Sequence, residues 1–120
     1  MIESGLVTLY VTDMDRSIDF YTQVLGMKLQ QRFGNHWASA EIPGLTIGFH
    51  PATEKQTAGR KGSMQIGLRL SKPIGEVVPE LEQKGVKFQG PIEEDNATWN
   101  AHFEDPDGNE IYITELKWKH

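Results

Sequence analysis

The stretch Phe103-Glu104-Asp105-Pro106-Asp107-Gly108-Asn109-Glu110-Ile111-Tyr112-Ile113-Thr114-Glu115 reads as strand, tight turn, strand. Pro106 presets φ for a turn, and Gly108 suits a position that needs φ > 0. Beyond the turn, Ile111 and Ile113 alternate with Glu110, Tyr112 and Thr114, the period of a strand with one apolar and one polar face. The polar face is the expected floor of a binding cavity.

Working back from this stretch, Thr98 to Glu104 is the strand entering the turn, and Pro91 to Asn96 is a polar loop. Val86 to Gln89 is expected as a strand. Pro73 suits a first helical position, and Val77, Leu81 and Lys84 or Gly85 complete a helix. Pro79 inside that helix is expected to bend it or move its start later. Gln65 to Leu70 alternates, with Ile66, Leu68 and Leu70 on one face and Gln65, Gly67 and Arg69 on the other. From Pro51 to Gly62 the apolar pattern vanishes, which predicts a solvated linker.

The first half has the same grammar. Leu6 to Val11 is a strand with Val7, Leu9 and Val11 opposite Leu6, Thr8 and Tyr10. Asp13 is placed to cap a helix whose apolar face is Met14, Ile18, Tyr21 and Leu25, with Gly26 as its stop. Met27 to Phe33 and His36 to Ile42 are strands around a Gly34-Asn35 hairpin. After the Pro43-Gly44 turn, Leu45 to His50 is a strand with Leu45, Ile47 and Phe49 opposite Thr46, Gly48 and His50. At an offset of 59 residues, Leu9 to Thr12 falls on Leu68 to Ser71, and Gly26 to Gln30 falls on Gly85 to Gln89. Strand, helix and glycine stop coincide, so the chain reads as a duplication. The expectation is an α+β fold: one domain over residues 1–120, with two paired βαβββ modules, the first ending near residue 57, a linker at about 51–62 and the second from about 63. The two sheets would form a curved sheet around a cavity, helices outside. An ordinary α+β sandwich with an accidental echo is the alternative.

Net charge is −5 with no block of like charges, which argues against nucleic acid as partner. There is no cysteine, so disulfides and thiolate metal sites are excluded. No apolar run approaches about 18 residues and nothing resembles a signal peptide, so a cytoplasmic protein without membrane contact is expected.

The segments Asp13 to Tyr21, Val24 to Met27 and Asp105 to Asn109 resemble the vicinal oxygen chelate superfamily, which includes glyoxalase I, extradiol dioxygenases and fosfomycin- and bleomycin-resistance proteins. The resemblance covers nearly the whole chain and implies the duplicated βαβββ fold. Function stays open, because this scaffold hosts unrelated chemistries. Metal-dependent relatives hold a divalent ion at four inward-facing strand positions. By the resemblance these are Leu6, Gln65, Gly48 (Ile47 if the register slips by one) and Tyr112. Leu6 and Gly48 supply no donor, Gln65 a neutral carbonyl, and Tyr112 a phenol ill suited to a hard divalent ion. The expectation is that the metal site is absent, and with it chemistry that needs a Lewis acid. A displaced site built from His50, His102 and Glu110, with Glu41 nearby, is the alternative; it would bring back a divalent metal ion as cofactor. His36 and His120 are expected at the surface.

The inward face also carries Leu6, Thr8, Thr46, Gly67 and Thr114, a polar set that suits a wet pocket better than a closed core. Its candidate ligand-binding residues are Tyr10, Trp37, Gly48, His50, Gln65, Arg69, Trp99, His102, Glu110 and Tyr112. Gly48 and Gly67 are expected to leave floor space. Trp37 and Trp99 would stack on a planar ligand, or simply pack. Arg69 would meet a ligand carboxylate or phosphate, or pair with Glu110. No nucleophile elbow, catalytic triad or glycine-rich phosphate loop is present. The leading expectation is a metal-free small-molecule binding protein that sequesters a drug or metabolite, as a homodimer like its relatives. The alternatives are a metal-dependent lyase, isomerase or dioxygenase with displaced ligands, a metal-free histidine-dependent enzyme, and an interaction module with a self-filled cavity.

Overall fold

Alternation of apolar and polar residues, broken by glycine turns, marks most of the strands. The structure, a computed structural model, describes residues 1–59 and 62–118, so His120 lies outside the described residues. The chain divides into two compact units, Met1–Arg60 and Lys61–His120. The first contains β1 (Val7–Val11), α1 (Met14–Asp19), a π-helical segment (Phe20–Val24), β2 (Lys28–Phe33), β3 (Trp37–Ile42) and β4 (Leu45–Pro51). The second contains β5 (Ile66–Arg69), α2 (Ile74–Gln83), β6 (Glu93–Glu94), β7 (Thr98–Glu104) and β8 (Glu110–Leu116). Each unit is a βαβββ module with a four-stranded mixed sheet. The orders β1-β4-β3-β2 and β5-β8-β7-β6 are the same topology, so the fold is α+β with two modules.

In the first unit the apolar faces of β1, β3 and β4 bring Leu9, Val11, Ala38, Ala40, Ile47 and Phe49 into the core. Met14, Ile18 and Tyr21 close it from the helix, with the Tyr21 and Phe49 rings 5.2 Å apart. Asp13 caps α1 by accepting from the Arg16 N–H at 3.1 Å. The helix does not run regularly to Leu25. The Thr22 hydroxyl donates to the Ile18 carbonyl at 2.6 Å, and the Leu25 N–H reaches back five residues to Phe20. A side chain competing for an i−4 carbonyl widens the ladder in this way. Gly26, at φ 82°, ends the segment as expected.

The second core gathers Ile66, Ala101, Phe103, Ile111 and Ile113 from the sheet with Ile74, Leu81 and Val86 from α2 and its exit. Pro73 stands one place earlier than expected, as the cap of α2, and the Glu115 carboxylate accepts from the first helical N–H, Ile74, at 2.8 Å. Pro79 does not move the start of the helix, which runs unbroken from Ile74 to Gln83. Two strand expectations are corrected. Val86–Gln89 is not a strand; it meets β7 through the Gln89 N–H, which donates to the His102 carbonyl at 2.8 Å. The chain then turns at Gly90, φ 92°, and the edge strand forms later, at Glu93–Glu94, inside the stretch expected as a loop. An isolated apolar alternation of four residues is too short to say which neighbour a chain will pair with.

The deciding turn closes as its residues require. The Asp105 carboxylate, in a residue only 6% exposed, accepts from the N–H groups of Asp107 and Asn109 at 2.9 Å each and from the Asn109 side-chain amide at 2.8 Å. Gly108 takes φ 90°.

Candidate functional site

The face of each sheet opposite its helix carries the polar alternates. In the first unit Tyr10 and His50 are partners in the parallel β1–β4 register and meet edge to face at 5.6 Å. The His50 Nδ1 lies 2.9 Å from the Pro51 carbonyl oxygen, which can only accept. Nδ1 therefore carries the hydrogen of this contact. Trp37 and Ser39 share this face, and Ser39 donates to Gln30 at 2.9 Å, whose amide donates to Glu41 at 3.1 Å.

Gly48 does not leave open floor. A side-chain carbon there would sit 2.2 Å from Cη2 of Trp37, whose indole crosses β4 at that point. The second unit repeats the device: a side-chain carbon at Gly67 would sit 2.5 Å from both Cζ and Oη of Tyr112. Both glycines are thus covered by an aromatic ring from a strand of the same sheet, which replaces cavity with a flat, partly exposed surface.

In the second unit the registers stack side chains in rungs. Arg69, Thr114 and Asn100 form one rung across β5, β8 and β7; Gly67, Tyr112 and His102 form the next. Together with Gln65, Asp95, Thr98 and Leu116, the side-chain-bearing members line an open concavity of about 440 Å³. The His102 and Tyr112 rings are 5.7 Å apart, and His102 Nε2 lies 4.0 Å from a Glu93 carboxylate oxygen. At the far margin Asp95 accepts from the N–H groups of Ala97 and Thr98 at 2.8 and 2.7 Å and from the Thr98 hydroxyl. The Ala97 N–H foremost, then Thr98, with Lys117 adding, hold the Asp95 carboxyl below its ordinary value, so it is anionic at neutral pH.

Of the residues singled out in the sequence, Gln65, Arg69, His102 and Tyr112 thus meet on one concave surface. Glu110 lies outside it and accepts from the Gly62 N–H at 2.7 Å and the Gln65 amide at 3.2 Å, so the expected Arg69–Glu110 pair is not formed. Trp99 shares the parity of the buried Ala101 and Phe103, away from His102, and its ring receives the Lys117 ammonium at 5.2 Å. Tyr10, Trp37, Gly48 and His50 share the polar face of the first sheet. His36 is exposed. Asp95, Thr98 and Asn100 were missed, although Asn100 and Thr98 follow from His102 by simple alternation along β7.

The family model for the glyoxalase/bleomycin resistance protein/dioxygenase superfamily matches residues 4–113. The chain belongs to this superfamily. A lactoylglutathione lyase of Escherichia coli O157:H7 is 32% identical over 123 aligned residues, covering 91% of this chain and 89% of that protein. Virulence protein STM3117 of Salmonella typhimurium is 30% identical, covering 91% and 81%, and its crystal structure superposes with a TM-score of 0.70 at 28% identity, covering 96% of this chain and 98% of that one. The antibiotic-binding protein TnmS3 of Streptomyces sp. CB03234 shares the fold, with a TM-score of 0.79 at 24% identity over 98% and 99% of the two chains.

Superfamily membership raises the question of a divalent ion. The four positions that the resemblance assigns to it do not fit one. Leu6 precedes β1 and is about half exposed, Gly48 lies beneath Trp37, Gln65 gives its amide N–H to Glu110, and Tyr112 lies across Gly67. None offers the imidazole or carboxylate that such an ion takes. Among the described residues, no three His, Asp or Glu side chains gather as a ligand set.

Proposed function

We propose that this protein binds a small organic molecule without a metal ion, sequestering a drug or metabolite. The observation that carries this reading is the Trp37 indole lying over Gly48, where the superfamily's metal-dependent members place a ligand. The donor is missing and the ring also fills the space its side chain would need. What remains on the polar faces is aromatic surface and hydrogen-bonding groups, which suit recognition of a flat molecule. The fold shared with an antibiotic-binding protein supports the same reading.

A metal-dependent lyase is the second reading, favoured by the 32% identity to a lactoylglutathione lyase. The two separate cleanly. Purified protein incubated with excess Ni²⁺, Zn²⁺, Mn²⁺ or Fe²⁺ and freed of unbound ion is expected to retain far less than one ion per chain. Near-stoichiometric metal that is lost on changing Gln65 or Tyr112 would overturn the metal-free reading.

The proposal places the protein in the cytoplasm as a homodimer. Among the described residues no helix is long and apolar enough to cross a membrane. All six residues of the outer strand β2 are exposed, Leu29 at 44% and Phe33 at 61% among them, and a sheet edge open on one side invites a second copy. Light scattering at micromolar concentration is expected to give twice the chain mass; a monomer counts against the dimer.

A further inference from the structure

The concavity of the second unit has an uneven distribution of charge that narrows the ligand class. Arg69 lines it, yet its guanidinium has no hydrogen bond or ion pair with any described residue. Its natural internal partner, Glu110, is held by Gly62 and Gln65. Two residues back along the same face of β5, roughly 6–7 Å away by strand geometry, Gly67 admits the phenol of Tyr112, whose hydroxyl likewise has no hydrogen bond with a described residue. A guanidinium and a phenol hydroxyl thus sit along one strand, neither bonded to a described residue. Across the sheet, at the β6 side, stand the carboxylates of Glu93 and Asp95. Between the two margins are the Tyr112 and His102 rings, 5.7 Å apart.

We propose that this surface takes a flat aromatic molecule bearing one anionic group, the anion on Arg69 and the Tyr112 hydroxyl and the ring system against Tyr112 and His102. This rests on the small-molecule reading above and adds the ligand's charge and shape. The fork of a guanidinium matches a carboxylate in plane, and the phenol supplies a further donor to the same group. The acidic margin disfavours a second negative charge, so a carboxylate fits better than a dianionic phosphate monoester. The same acidic margin would draw a cationic aromatic, and that ligand would leave Arg69 without a role.

Titration calorimetry with naphthoate, naphthamide and naphthyl phosphate tests the assignment, since the three share a ring and differ in charge. Naphthoate is expected to bind best, about fivefold to tenfold tighter than the neutral amide, less than a buried charged hydrogen bond gives because Arg69 is open to water. Its affinity should fall as salt is raised, while that of the amide should not. Arg69→Gln is expected to bring naphthoate down to the level of the amide; Arg69 is exposed, so the variant folds. Equal binding of naphthoate and naphthamide, tightest binding of the phosphate, or naphthoate affinity unchanged in Arg69→Gln would each overturn the anion assignment and leave the metal-free binder standing. Binding of none of the three would overturn the assignment as well. The failure of the binder reading itself would show separately, as stoichiometric metal.

Discussion

Phe49→Ala is expected to lower stability by about 3–5 kcal/mol, the cost of deleting a large ring from a packed core. Phe49 is fully buried and lies between Leu9 on β1 and Ala38 on β3, its register partners. Its ring meets Tyr21 from the π-helical segment at 5.2 Å. The neighbours cannot close the gap, because Ala38 and Ala40 are already small and the backbones are held by the sheet. Urea or thermal unfolding of the variant against the parent measures it. A loss below about 1 kcal/mol would mean that the helix does not pack on Phe49 as described.

Asp105→Ala is expected to cost about 2–4 kcal/mol, almost as much from a surface turn as from the core. The reason is the number of groups that depend on one carboxylate. Its removal strands the N–H groups of Asp107 and Asn109 and the Asn109 amide; each such group costs about 1–3 kcal/mol when buried and unpaired, and about 1 kcal/mol or less here because these residues are only half-buried and water reaches them. Asp105→Asn is expected to fall between, since one oxygen can still accept from the backbone while the new amide faces that of Asn109, donor to donor. If both variants unfold at the midpoint of the parent, the turn does not organise the β7–β8 hairpin.

Much of this was legible in the sequence because it is local. The cap at Asp13, the stop at Gly26 and the turn at Gly108 each need only a few consecutive residues, and alternation places Phe49 and Ile113 inward without knowledge of a partner strand. The misreadings arise where a distant neighbour decides. Val86–Gln89 has strand-like alternation, but its place beside β7 is limited by the turn at Gly90. The π-helical segment depends on one threonine hydroxyl winning a carbonyl. Trp99 has the look of a rim aromatic, yet its parity puts it on the side of Ala101 and Phe103.

The binding surface shows the same division. By itself the amino-acid order determined the duplicated βαβββ plan, the polar face of most strands and the lack of imidazole or carboxylate at Leu6, Gly48, Gln65 and Tyr112, since all of these follow from side-chain chemistry and period. Only the tertiary structure decided that Trp37 and Tyr112 lie across Gly48 and Gly67, that Glu110 is taken by Gly62 and Gln65, and that Arg69 lines a concavity without a partner among the described residues. Those outcomes rest on which strands pair and in what register, and pairing across 40 or more residues, as in Gly67 with Tyr112, leaves no trace in the local pattern.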